Sequence, residues 1–346
     1  MLASELPAIP LAAGILTMLP GLLRDSPEDV VDLCRVSLEL LSPEGLEVSS
    51  RRYAGILADL EANLANALRI LAQLPEAQRH MASALSLADE APDDQVRGGV
   101  FLNASLVARD ARNFESALEL AGLSKRLFRR VGNMRLTKRV SRVEASVAFL
   151  QGDFSSAISR VRALLRDPTL EQGARFSATF MLVKALILEG SAFQAASLLP
   201  RLTGLARSLP GDRVATRLCW LRGLIVGRVA DPDVGERLMS RARDECLDQG
   251  LLYDAALVAL DLAMVRYEAG QHREAARHAA GIVRTFAATG AHCEALAALR
   301  CFHASVTARN DARGRYRELQ LYLPLARHDP GYGYRPGFLD PEASVH

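Results

Sequence analysis

Residues 63–87 read NLANALRILAQLPEAQRHMASALSL. Ala65 and Ala77 lie on either side of a break at Gln73-Leu74-Pro75, and Met81 and Ala84 follow Ala77 at i+4 and i+7, one face of a helix. The stretch predicts helix, tight turn, helix, with small residues where the two helices cross. It is not unique in the chain. Small residues recur at Ala117, Ala157, Ala195, Gly235 and Ala275, at intervals of 40, 40, 38, 40 and 40 residues. A period of that length belongs to stacked helical units rather than to one globular core.

Twelve positions before each of these stands a first set: Ala65, Ser105, Ala145, Val183, Gly223 and Ala263. Seven positions after these the chain turns, as at Gly152, Gly190 and Gly270, and apolar pairs such as Val161 and Leu164 or Ala279 and Ile282 continue the second helix. No run alternates every second residue between turn signals, so no strand is expected. The predicted fold is all-α: a right-handed superhelical solenoid of about six to seven helix-turn-helix repeats. It divides into an apolar segment over 1–25, a repeat domain over 26–327 and a disordered tail over 328–346.

The order small, turn, small, apolar, apolar resembles the tetratricopeptide repeat, whose usual length is 34 residues. Residues 63–87 carry the resemblance best, and the segment from Tyr253, YDAALVALDLAMVRYEAGQHREAARHAAGIV, nearly equals them. The repeat here is longer, which resembles the extended repeats of bacterial regulators such as maltose-activator-like transcription factors and peptide-sensing quorum regulators. The chain is also similar to soil-bacterial repeat proteins in which a Tyr-Asp-Ala-Ala-Leu stretch opens the last full repeat. That likeness implies no activity.

Composition agrees with long helices: aromatics make up 5% of the 346 residues. The net charge of +2 gives no global attraction for nucleic acid. Five scattered cysteines, Cys34, Cys219, Cys246, Cys293 and Cys301, form no disulfide framework and fit a reducing cytoplasm. The uncharged stretch from Leu6 to Leu23 approaches a membrane span in length, but Pro7, Pro10 and Pro20 interrupt it and no basic start precedes it. A short apolar helix packed on the first repeat, or a cap left by truncation, is expected instead. From Ser26, SPEDVVDLCRVSLELL offers an N-cap and an early proline, and reads as the second helix of a degenerate first repeat. After Asn310 the pattern decays, and an amphipathic helix near Tyr316–Ala326 is placed to cap the stack. Beyond it, Tyr332, Tyr334 and Phe338 sit in a Gly- and Pro-rich tail, to be read as a loose end or as a docking peptide.

Catalytic signatures are missing. There is no phosphate-binding loop, dinucleotide fingerprint or nucleophile elbow. His292, Cys293, Cys301 and His303 come nearest to a metal set, but 293 and 301 do not share a helix stripe. His272 and His278 flank a turn without a carboxylate pair. No enzyme, cofactor or metal is expected.

Lys125–Arg142 carries eight cations and no acid, and Arg135, Arg139 and Arg142 recur at i, i+4, i+7. Such a run is a solvated surface or part of a binding face. In proteins resembling this one, ligands contact the first (A) helix of each repeat. That register places Asn63, Asn66, Arg69, Asn103, Arg109, Arg139, Arg142, Lys184, Arg217 and Trp220 in the groove, with Asp59 and Asp261 the exceptions in sign. Asn, Arg and Lys there resemble a clamp for a peptide's C-terminal carboxylate, although the full set is not reproduced. Trp220 serves equally for inter-helix packing. The expected function is a protein-interaction scaffold for a peptide or acidic segment in bacterial regulation. The alternative is the sensor or effector module of a transcription regulator whose DNA-binding domain lies elsewhere. No recognition helix-turn-helix is evident, which leaves only non-specific nucleic-acid contact through the basic run.

Overall fold

The computed structural model describes residues 8–41, 51–289, 293–329 and 333–334. Every regular element among the described residues is a helix. The chain divides into two compact units, Met1–Val147 and Ala148–His346.

The first unit contains α1 (Ala8–Asp25), α2 (Pro27–Leu40), α3 (Arg51–Ile70), α4 (Leu74–Ala88), α5 (Asp94–Asp110), α6 (Phe114–Arg130) and nearly all of α7 (Met134–Leu150). Hairpins α3–α4 and α5–α6 stack with α3 against α5. The second unit contains α8 (Phe154–Leu165), α9 (Gln172–Glu189), α10 (Ala192–Ala196), α11 (Leu199–Arg207), α12 (Asp212–Val229), α13 (Pro232–Asp248), α14 (Leu252–Glu268), α15 (His272–Ala288), α16 (Cys293–Ala308) and α17 (Ala312–Ala326). There α12–α13 and α14–α15 are the regular hairpins, with α12 against α14.

The small residues do what their spacing implies. Ala65, Ala77, Ser105 and Ala117 are fully buried in the first unit, as are Val183, Ala195, Ala263 and Ala275 in the second. Helices α12 and α13 cross backbone to backbone. A Cβ on Gly235 would stand 2.4 Å from the Gly227 Cα, and one on Gly223 would stand 2.9 Å from the Gly235 carbonyl oxygen. Only glycine allows that backbone-to-backbone approach.

The turn inside each repeat is equally regular. The backbone N–H groups of Gln73, Asn113, Asp153, Ser191, Asp231 and Gln271 donate to Leu68, Ala108, Ala148, Leu186, Val226 and Arg266 oxygens, at 2.7–3.0 Å. Each is the six-to-one bond of a Schellman end, and each donor is also the N-cap of the next helix. Gly152, Gly190 and Gly270 supply the left-handed residue, and Ala72 (φ 61°) and Arg112 (φ 60°) do the same without glycine's freedom. At the fifth turn the equivalent residue, Ala230, is not left-handed (φ −138°), and the N-cap that follows, Asp231, accepts from the Asp233 and Val234 N–H groups.

Three local features differ from the sequence pattern. Helix α1 runs unbroken through Pro20, on its exposed side, and buries Ala12 and Leu19 against a core shared with α2 and α3. Ser26 stands at the N-cap of α2, but its hydroxyl makes no capping bond. The second helix of the fourth repeat is split into α10 and α11, with Pro200 starting the second piece. The 38-residue step coincides with a short α8 of 12 residues.

No helix among the described residues is long and apolar enough to cross a membrane. The tail residues 330–332 and 335–346, with Tyr332 and Phe338, lie outside the described residues, as does His292. Tyr334 is described: its ring meets Tyr322 edge-on at 5.2 Å, and its hydroxyl lies 2.7 Å from Glu318 Oε2.

Candidate functional site

Each unit gathers its sequence-selected polar residues on its own A helices, with opposite outcomes. In the first unit, Asn63 turns back along α3, its amide donating to Asp59 Oδ1 (2.9 Å) and the Asp59 carbonyl (2.8 Å). Burial pushes the Asp59 carboxyl up to about 6, the Asn63 bond working against the rise. Asn66 and Arg69 are buried together, the guanidinium donating to Asn66 Oδ1 from Nε (3.0 Å) and Nη2 (2.9 Å). Arg69 Nη1 also donates to Asp110 Oδ2 on α5 at 2.5 Å. Asn103, buried on α5, reaches the Ala62 carbonyl at 3.3 Å.

The chain of polar contacts then crosses from α5 to α7. Arg109 binds the other Asp110 oxygen (2.7 Å) and donates to Ser146 Oγ on α7 (3.2 Å). Arg135, Arg139, Arg142 and Ser146 recur along α7 at i, i+4, i+7 and i+11, so the face that meets Arg109 also carries three arginines. Arg139 is half-buried, and no bond or ion pair holds it among the described residues. Burial, with Arg142, Arg69 and Arg135 close by, lowers its pKa to about 10. Arg139 nevertheless stays charged near neutral pH. The rest of the basic run is spread out: Lys125 pairs with Glu144 (2.7 Å), and Arg130 pairs with Asp94 (2.7 Å) on the surface.

In the second unit the same register leads into the interior. Lys184 on α9 and Trp220 on α12 are buried, and both donate to Asp261 Oδ2 on α14, Lys184 Nζ at 2.7 Å and Trp220 Nε1 at 2.6 Å. Helix α17 completes the shell. The Tyr316 hydroxyl (2.6 Å) and Gln320 Nε2 (2.9 Å) donate to Asp261 Oδ1. Burial and the Asp261 charge drive the Tyr316 hydroxyl well above its ordinary range, so it remains a donor. Lys184 also lies 4.8 Å from the centre of the Trp220 ring. Its pKa is lowered by burial, with Asp261 offsetting the fall. Arg217 stays exposed, over the Phe180 ring at 5.5 Å.

The sequence register therefore brought Asn66, Arg69 and Arg109 together in one network, with Asn103 bonded separately to the Ala62 carbonyl, and Lys184 with Trp220 in another. It did not identify Asp110 or Asp261 as the hubs, nor Tyr316 and Gln320 as donors to Asp261. A signal existed. Arg69–Asp110, Ala62–Asn103 and Trp220–Asp261 are each 41 residues apart, one repeat plus one, which is the offset between neighbouring A helices. Among the described residues no group of three His, Cys, Asp or Glu side chains is placed to hold a metal ion.

No protein-family model and no curated protein matches the chain. A solved structure does. The crystal structure of a Rap protein complexed with competence and sporulation factor matches over 92% of this chain and 91% of that one, with a TM-score of 0.64 at 13% identity. The fold is a helical repeat of the tetratricopeptide type. At that identity the likeness speaks for architecture.

Proposed function

We propose that the chain is a non-enzymatic protein-interaction scaffold in bacterial regulation, cytoplasmic in location, and that the A-helix face of its first unit binds an acidic peptide segment. One observation carries this reading. Arg139 is half-buried, unbonded among the described residues, and surrounded by the charges of Arg142, Arg69 and Arg135. A cation desolvated among like charges is costly, and an incoming carboxylate relieves the cost while gaining charge-assisted, bidentate bonds. Asp110 is the carboxylate bonded within this network, and Arg69 and Arg109 already engage both its oxygens. Arg139 is therefore a donor to spare on this face. Lys184 and Trp220, by contrast, are turned to Asp261, which supports assigning the binding face to the first unit. The solved Rap protein carries a bound factor on the same fold, which supports a binding role here.

The test is fluorescence anisotropy with labelled acidic decapeptides, against neutral and basic peptides of equal length. Acidic peptides should bind the wild type and lose affinity about tenfold or more on Arg139→Glu with Arg142→Glu, since each charge-assisted bond contributes roughly 1.5–3 kcal/mol. Binding that ignores this double substitution overturns the proposal. So does tighter binding of duplex DNA, which would show a steep salt dependence.

A further inference from the structure

On the second unit, away from the Asp261 network, a cleft of about 390 Å³ opens between α13 and α15 over α14. Its lining includes Ala255, Ala256 and Ala259 of α14, whose short side chains leave room between the flanking helices, and Glu236 of α13 bridges to His278 of α15 at 3.1 Å beside it. Gly281 on α15 widens it, and a Cβ there would meet only the Arg284 guanidinium, 3.9 Å away. Arg284 thus folds back over its own helix toward the opening, and no bonded partner holds it among the described residues.

The lining is polarised. Antiparallel packing brings Leu247, Leu252 and Phe286 to the end near the α13–α14 turn. Arg243 and Arg277 stand further along, the rise from Phe286 back to Arg277 being roughly 13 Å at 1.5 Å per residue, and Arg284, two residues from Phe286, folds back to Gly281 between the two ends. Leu247, 36% exposed, leaves apolar surface open to solvent at the α13–α14 end. Arg243 pairs with its neighbour Asp244 at 2.8 Å, and Arg277 is 3.9 Å from Glu236, so the rim is only partly neutralised.

We infer that this cleft binds a small amphipathic anion of the medium-chain fatty carboxylate class, with the carboxylate at Arg284, Arg277 and Arg243 and the alkyl chain over the alanine floor toward Leu247 and Leu252. The volume falls within the range of small-molecule sites, and the charge gradient sets the orientation. A neutral or cationic amphiphile of equal length satisfies the floor but not the rim.

Isothermal titration of the full chain with decanoate, decanol and decyltrimethylammonium below their micelle concentrations tests this. Decanoate should bind at one site, with the other two at least about tenfold weaker. Gly281→Phe fills open space on a helix and should abolish binding with the thermal midpoint retained. Arg284→Glu should weaken binding several-fold. Decanoate binding that survives Gly281→Phe, or decanol binding as tight as decanoate, overturns the inference.

Discussion

Lys184 Nζ lies 2.7 Å from Asp261 Oδ2, joining α9 to α14 across 77 residues of sequence, and both side chains are almost wholly buried. The pair is not symmetric. Asp261 accepts from Lys184, Trp220, Tyr316 and Gln320, so its charge keeps three donors without the lysine. Lys184 without Asp261 is left with the Trp220 ring.

Asp261→Ala is therefore expected to be more damaging than Lys184→Met. Removing the aspartate strands a buried ammonium and three buried donors, a loss on the order of 3–5 kcal/mol. Lys184→Met leaves a buried carboxylate that keeps three bonds but loses its ammonium, and should cost less, roughly 1.5–3 kcal/mol. Urea unfolding followed by the fluorescence of Trp220, the one tryptophan of the chain, reads this site directly. Equal losses for the two variants would contradict the asymmetry.

Asp59 gives the first unit a pH dependence. Its carboxyl is pushed up to about 6 when folded, against an ordinary value near 3.8, so the folded state binds the proton more tightly than the unfolded chain. The sign follows: this group favours folding most below the unfolded value, and that advantage is lost as pH rises through the folded one. Between about pH 4 and 6 stability should fall with rising pH by on the order of 1–2 kcal/mol from this residue. Asp59→Asn should flatten that slope and stabilise the fold at pH 7. An unchanged slope in parallel urea titrations would exclude Asp59 as its source.

Two turns of the same kind offer opposite substitutions. Ala72 holds φ 61° where Gly270 holds φ 77°. A non-glycine residue in the left-handed region costs about 1 kcal/mol, so Ala72→Gly should stabilise by up to that amount. Gly270→Ala should destabilise by a similar amount, because nothing lies within 4 Å of the added Cβ and only backbone strain changes. Calorimetric midpoints shifting in opposite directions would bear this out.

Much of the fold was legible because its cause is periodic. Gly223 and Gly235 are small because backbones touch there, and the same two slots are buried in the other repeats, as at Ala65 and Ala77. The same ladder aligned the A-helix polar residues, so Arg69, Arg109 and Arg139 were found on one face. Pairing was harder to read. Whether Lys184 faces solvent or the interior depends on α17, whose Tyr316 and Gln320 come from outside the repeat pattern. The split of α10 from α11 was also illegible, since one proline does not say whether a helix bends, breaks or begins.

Arg139 separates stability from binding. Its guanidinium is disfavoured in the fold by burial and by Arg142, Arg69 and Arg135, and its lowered pKa still leaves it charged at pH 7. Arg139→Gln keeps most of the side chain's volume and removes the repulsion. It should raise unfolding stability by about 1 kcal/mol, allowing for screening of a half-buried charge. The same variant should lose affinity for acidic peptides, and high salt should stabilise the wild type more than the variant. A scaffold whose arginines were only a solvated surface would show neither effect. If Arg139→Gln lowers the urea midpoint, the residue is a structural cation with an unrecognised internal partner, and the binding face must lie elsewhere.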